Sequence, residues 1–194
     1  MVNTNAPFGF RPIRRIDGAA WSSNHTTCKM QNNAGALNRG DCVKQLADGT
    51  VAVSAPADGH LMRGVFVGCH YLTAALGYPI WSNYWPGSGA VGLVDAFIMD
   101  DYNVVFEAMA SVGPITLADI GSNVDIVVTA SVTGFSKWAL GVPTTTASTN
   151  FPFKIIGIGN AGVPISDGYD ATSANNIVEV VPNDWFLRGP AIGI

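Results

Sequence analysis

Val43-Lys44-Gln45-Leu46-Ala47-Asp48-Gly49-Thr50-Val51-Ala52-Val53-Ser54 carries the reading of the fold. Residues 50–54 alternate in the strand manner, and residues 43–46 form a matching short run. Between them, Asp48-Gly49 suits a type I′ turn, which needs positive φ at both central residues. The segment predicts a β-hairpin.

The same signals recur outward along the chain. Gly64-Val65-Phe66-Val67-Gly68 is a glycine-bounded run, and residues 92–99, 104–110, 125–129, 154–158 and 177–181 are of strand length and rich in Val, Ile and Phe. Further Asp-Gly pairs stand at Asp17-Gly18, Asp58-Gly59 and Asp167-Gly168. Helical evidence is confined to residues 73–76 and 117–120, both shorter than a stable helix. With 22 Gly and 11 Pro, no long window carries a helical stripe. The expected architecture is all-β, a barrel or sandwich body with long loops. Residues 1–20, with Arg11, Arg14 and Arg15 beside Phe8, Phe10, Pro7 and Pro12, are expected as an extended N-terminal arm, and residues 21–194 as a single β-rich body. Residues 141–152 form a polar loop around Thr144-Thr145-Thr146.

Charge is scarce. Asp, Glu, Lys and Arg make up 12% of the 194 residues, against about 25% in an ordinary soluble domain. Residues 1–63 hold 7 basic and 4 acidic groups, and residues 64–194 hold 3 basic and 10 acidic, for a net charge of −4. A basic arm on an acidic body or scattered surface charge explains this equally. The balance gives no footprint for nucleic acid. Residues 64–94 contain no Asp, Glu, Lys or Arg, yet Gly, Pro, Asn and Ser interrupt them too often for a membrane helix. No secretory signal is read at the start. Cys28, Cys42 and Cys69 are odd in number and widely spaced, which suggests free thiols in a reducing compartment.

Catalytic and cofactor patterns fail on context. Gly157-Ile158-Gly159-Asn160-Ala161-Gly162 satisfies G-x-G-x-x-G, but the following Val163-Pro164 cannot open the helix that a dinucleotide site needs. Cys69-His70 point to opposite faces of a strand. Asp95, Asp100 and Asp101 could hold calcium, or could be turn-starting residues at strand ends. His25, His60 and His70 have no nucleophile context, and no catalytic residue, metal ligand or cofactor is assigned. The densest patch is Tyr78-Pro79-Ile80-Trp81-Ser82-Asn83-Tyr84-Trp85-Pro86-Gly87. Tyr78, Trp81, Tyr84 and Trp85 suit an interface anchor, a sugar-stacking platform, or a loop folded over its own core.

Asn5-Ala6-Pro7-Phe8-Gly9-Phe10-Arg11-Pro12 is similar to the start of the head decoration (cement) proteins of tailed bacteriophages. In order, Gly40-Asp41-Cys42-Val43 resembles that family's Gly-Asp-x-Val, Gly64-Val65-Phe66-Val67-Gly68-Cys69 its central strand, Tyr84-Trp85-Pro86-Gly87 its aromatic loop, and Asp100-Asp101-Tyr102-Asn103-Val104-Val105-Phe106-Glu107 its Asp-rich turn. The likeness spans residues 5–110 and departs at the apolar tail ending Ile192-Gly193-Ile194. It implies a non-enzymatic structural protein on the outer surface of a capsid, assembled in the host bacterial cytoplasm. Its partners would be the major capsid protein and itself, as a homotrimer at three-fold and quasi-three-fold positions, with neither nucleic acid nor membrane. The interface residues expected on this basis are Phe8, Phe10, Arg11, Arg14, Arg15, Tyr78, Trp81, Tyr84 and Trp85. The alternatives are a glycan-binding module and a tail or baseplate β-module of a phage virion.

Overall fold

The computed structural model describes residues 3–22, 24–56, 58–131, 134–143, 151–159 and 172–187. The Thr-rich loop at 144–146, the Asp167-Gly168 pair and the tail after residue 187 lie outside the described residues. Among those described, the strands are β1 (Arg11–Arg15), β2 (Thr26–Met30), β3 (Leu37–Asn38), β4 (Cys42–Gln45), β5 (Val51–Val53), β6 (Met62–Leu72), β7 (Pro79–Ser82), β8 (Tyr84–Trp85), β9 (Val94–Met99), β10 (Val104–Met109), β11 (Asn123–Val124), β12 (Ile126–Val127), β13 (Ala139–Leu140), β14 (Phe153–Ile158) and β15 (Ile177–Pro182). The two short candidate helices become a turn after Thr73 and a 3₁₀ turn at Leu117–Asp119. The chain is all-β, as its periodicity demands.

Five strands close on themselves. β4 pairs with β5, β5 runs parallel to β2, β2 pairs with β9, β9 with β6, and β6 returns to β4. Alternate side chains of these strands fill the barrel: Met30, Val43, Val51, Phe66, Cys69, Val94, Ala96 and Ile98 form one buried cluster. A second sheet, ordered β1-β10-β15-β14-β11, lies against the outside of the barrel. There Cys42, Met62, Val65 and Met99 of the barrel share a core with Phe106, Ala108, Phe153, Ile155, Val178 and Val180. β10 is buried along its whole length because it lies between β1 and β15, with the shared core on one face and β1's arginines over the other.

The hairpin at residues 43–54 forms, with a different turn. Gly49 has φ +83°, but Asp48 is not in the left-handed region. The Gly49 N–H donates to the Leu46 carbonyl at 3.1 Å and the Leu46 N–H to the Thr50 carbonyl at 2.8 Å. This is a type I turn closed by one left-handed glycine, so the type I′ expectation is corrected. Asp48 stays at negative φ because its carboxylate accepts from Thr50 N and Thr50 Oγ1, at 2.9 and 2.6 Å. Those bonds hold that carboxyl below its ordinary range. Asp17-Gly18 repeats the device: Gly18 N–H donates to Arg15 O, Arg15 N–H to Ala19 O, and Ala19 N–H to Asp17 Oδ1. At Asp58-Gly59 the chain enters the 3₁₀ turn Gly59–Leu61 instead.

The N-terminal segment does not stand off. Residues 3–10 form no strand, but β1 is an edge strand paired with β10, and Phe10 is buried against Phe153 with ring centroids 4.5 Å apart. Gly9 (φ +76°) makes the approach possible. A Cβ there would lie 2.4 Å from Ser136 Oγ and 2.8 Å from the Gly40 carbonyl oxygen. The Gly9 N–H donates to Trp138 O at 3.1 Å and the Phe10 N–H to Gly40 O at 2.9 Å. Gly18, by contrast, has open space around it. Gly9→Ala therefore costs the left-handed penalty of roughly 1–2 kcal/mol plus the clash, whereas Gly18→Ala costs the penalty alone. Urea unfolding of the two variants checks the difference, with the larger loss expected at Gly9.

Candidate functional site

The candidate interface residues fall into two places. The arginines of β1 lie over acidic groups of their own sheet. Glu107 and Glu179 stand directly opposite each other on β10 and β15, a like-charge pairing that destabilises a sheet. Arg11 Nη2 meets Glu107 Oε2 at 2.5 Å, and Arg14 Nη2 reaches Glu179 Oε2 at 2.7 Å. Arg15 Nη1 bonds Asp101 Oδ2 at 2.8 Å. Gly157, beside a register shift in β14, leaves room for Glu179. These arginines hold the strand to its own body, where the sequence reading places them against acidic groups of a capsid or neighbour. Phe10 is core, and Phe8 is half-buried beneath the Arg11 guanidinium, 5.0 Å from its ring centre.

The four clustered aromatics are divided by burial. Trp85 is fully buried in the barrel, edge-on to Tyr71 at 4.9 Å. Tyr84 is half-buried on β8, opposite Asn38 of β3. Tyr78, in the turn before β7, and Trp81, on β7, are exposed, Trp81 to 71%. β7 is the outer strand of its sheet, paired with β6 among the described residues. Trp81 sits opposite His70, ring centroids 4.3 Å apart, and lies nearly parallel to Phe97 at 5.5 Å. Gly68, opposite Phe97 on β6, carries no side chain, and a Cβ there would lie 2.9 Å from the Ser82 carbonyl oxygen. Asp95, opposite both His70 and Lys29, adds an ion pair with Lys29 to the same outer face.

Beyond Trp81 the apolar surface continues. The turn after β6 is bonded to residues 89–91: Ala74 N–H donates to Gly89 O, and Val91 N–H to Leu72 O, each at 2.8 Å. This leaves Leu72, Leu76, Tyr78, Val91 and Leu93 exposed. All five fall within the stretch of residues 64–94 that lacks charge.

The three aspartates that could hold calcium are tied down. Asp95 faces Lys29, Asp100 bonds Arg63 and Thr26, and Asp101 bonds Arg15 and the Asn103 N–H. Each carboxylate is directed at a separate partner, so the three do not converge as a calcium site. Among the described residues no cluster of His, Cys, Asp and Glu is arranged for a metal ion. Cys69 and His70 do face opposite ways: Cys69 is buried, its thiol pushed up to about 12 by that burial, while His70 lies under Trp81. Burial also pushes the Cys42 thiol well up. Burial raises the Asp41 carboxyl, and hydrogen bonds from Ser136 and Asn38 oppose the rise.

Trp21, Arg39 and Phe135, which carry no signal in the sequence, join residues of the N-terminal segment. Pro7, Phe8, Arg11, Trp21, Arg39 and Phe135 line a cleft of about 620 Å³ between the N-terminal segment and the barrel. Arg39 and Phe135 lie far from the N-terminus in sequence and had no motif to mark them.

Compared with protein-family models, curated proteins and solved structures, the chain has no match in any of the three.

Two outcomes follow from this division of roles. Trp85→Ala is expected to cost about 3–5 kcal/mol by emptying the barrel, and Trp81→Ala less than about 1.5 kcal/mol; chemical denaturation measures both. Arg14→Ala is expected to destabilise by about 1–3 kcal/mol, because Glu179 is left facing Glu107. Adding Glu179→Gln should restore most of that loss, as read in a double-mutant cycle.

Proposed function

We propose that this chain is a structural component of a tailed-phage virion that decorates the outer capsid surface and stabilises the mature head. The sequence resemblance over residues 5–110 names the class. The observation that carries the reading is the exposed apolar surface at the end of the barrel. Clustered exposed apolar side chains mark contact with another protein, and here Leu72, Leu76, Tyr78, Val91 and Leu93 are exposed around the turn after β6, with Trp81 on the adjoining β7, in a stretch without charge from residue 64 to 94. Contact between copies, or with the major capsid protein, would remove these side chains from water.

The mechanism needs no chemistry. A shell that changes shape during maturation is stabilised in whichever state binds the decoration more tightly. A homotrimer at three-fold and quasi-three-fold positions bridges neighbouring capsomers and adds contacts specific to the mature arrangement. Repetition over the lattice multiplies a modest energy per site. The bonded, docked β1 directs attention to the β6–β7 end as the contact surface and away from a free N-terminal arm.

One feature favours glycan binding as a second reading. Trp81 is stacked flat on Phe97, is largely exposed, and has His70 and the Lys29–Asp95 pair close by on the same face. That arrangement suits a sugar ring lying on the indole.

Co-sedimentation with purified heads lacking the protein separates the readings. Wild-type chain is expected to saturate the heads at several hundred copies, and Leu76→Asp combined with Trp81→Asp to reduce occupancy at least about tenfold while the far-ultraviolet spectrum is unchanged. Saturation at a dozen copies or fewer indicates a tail or vertex position. Glycan-array binding abolished by Trp81→Ala, with normal head occupancy, favours the sugar reading.

A further inference from the structure

We propose that the cleft between the N-terminal segment and residues 134–136 is a binding site for an extended partner peptide bearing a carboxylate next to an aromatic or large aliphatic side chain. The site's lining reaches Asn83, the residue after β7, and its assignment does not depend on the capsid reading.

The first observation is an imbalance among the arginines. Arg11, Arg14, Arg15 and Arg63 each hold a carboxylate of this chain at 2.5–3.0 Å. Arg39, exposed on the rim of the cleft, holds none among the described residues. Its position is nevertheless fixed. The Arg39 N–H donates to Asn83 O at 3.0 Å, and the neighbouring Gly40 N–H to Phe66 O at 2.9 Å. These bonds fix the point from which the side chain extends, and the guanidinium fork matches a carboxylate.

The second observation is the wall. Phe8 and Trp21 are half-buried, and Phe135 is 73% exposed on the opposite side. An exposed phenylalanine on a cleft rim offers a large apolar surface to a ligand. Residue 134 is anchored by a bond from its N–H to Asn38 Oδ1 at 2.7 Å, so Phe135 follows a fixed point. Trp21 contributes an apolar wall: it packs against the core shared by the two sheets, and its indole Nε1 is shut off from solvent.

These features select the ligand. One free guanidinium beside a second that already serves Glu107 favours a single negative charge over a polyanion, and the net charge of −4 opposes nucleic acid. The volume lies within the range of about 300–1,000 Å³ seen for ligand sites. Three aromatic side chains around one cation call for an apolar group beside the carboxylate. A peptide of Asp flanked by Phe combines both.

The probe is a fluorescein-labelled Gly-Ala-Phe-Asp-Phe-Ala-Gly peptide, read by fluorescence polarisation against the full chain. Saturable binding is expected, at least about tenfold weaker for the same peptide with Asn in place of Asp, and weaker as salt rises. Arg39→Gln and Phe135→Ala should each weaken binding at least about fivefold with an unchanged melting temperature. Arg39→Glu should bind the peptide with Lys in place of Asp better than wild type does. Equal affinity for the Asp and Asn peptides, or no effect of Arg39→Gln, overturns the proposal. So does competition by sodium acetate at the peptide's own affinity, which would mean a simple anion site. Self-association in sedimentation that Arg39→Glu abolishes, with no peptide bound, would make the occupant a second copy and overturn it as well.

Discussion

Glu107 and Glu179 face each other across neighbouring strands, and the sheet tolerates the pair because Arg11 and Arg14 lie over them. The condition for that arrangement is geometric. β1 reaches the edge of the sheet only if the preceding residues pass between Gly40 and Ser136, which requires Gly9 to lack a side chain. Once Gly9 is in place, Phe10 enters the shared core against Phe153 and its N–H pairs with Gly40. The same contact joins the two sheets, because Gly40 is in turn bonded to Phe66 on the long barrel strand. Electrostatics, core packing and sheet closure therefore meet within a few residues of the N-terminal segment.

The missing charge has two physical sources. β6 borders β4, β9 and β7 at different points along its length, so most of its side chains are interior to the barrel or the shared core. A charge there would be buried without a partner. That accounts for residues 64–71. Residues 72–93 need another explanation, because much of that surface is in contact with water. The uncharged stretch is thus partly a consequence of folding and partly a surface property, and only the second part bears on partners.

Local patterns were legible where strand, turn and burial are decided within a few residues. The hairpin at 43–54 and the runs that became β9, β10, β14 and β15 follow from alternating or continuous apolar residues. β1 and β2 leave no strand signal in the sequence, since Arg11-Pro12-Ile13-Arg14-Arg15 and Thr26-Thr27-Cys28-Lys29-Met30 carry no apolar run. They are strands because the neighbouring strands supply hydrogen bonds and counter-charges, a tertiary effect. The turn at Asp48 differed from expectation because a side-chain carboxylate, held by Thr50, competed with the backbone geometry that Asp-Gly usually adopts.

The candidate residues show the same boundary. Trp81 and Trp85 are indistinguishable by type and setting, yet one is exposed and the other fully buried, because β7 ends at Ser82 and the chain turns at Asn83 before β8. The cleft around Arg39 joins residues 7, 8, 10–12 and 21 to residues 39, 40, 67, 83 and 134–136, whose proximity follows from the docking of the N-terminal segment. By itself the sequence determined the all-β class, the main hairpin and the charge-free stretch, since each depends on residues adjacent in the chain. The tertiary structure alone decided which aromatics face water, which arginine among the described residues holds no carboxylate and where a cleft opens, because those depend on distances between residues remote in sequence.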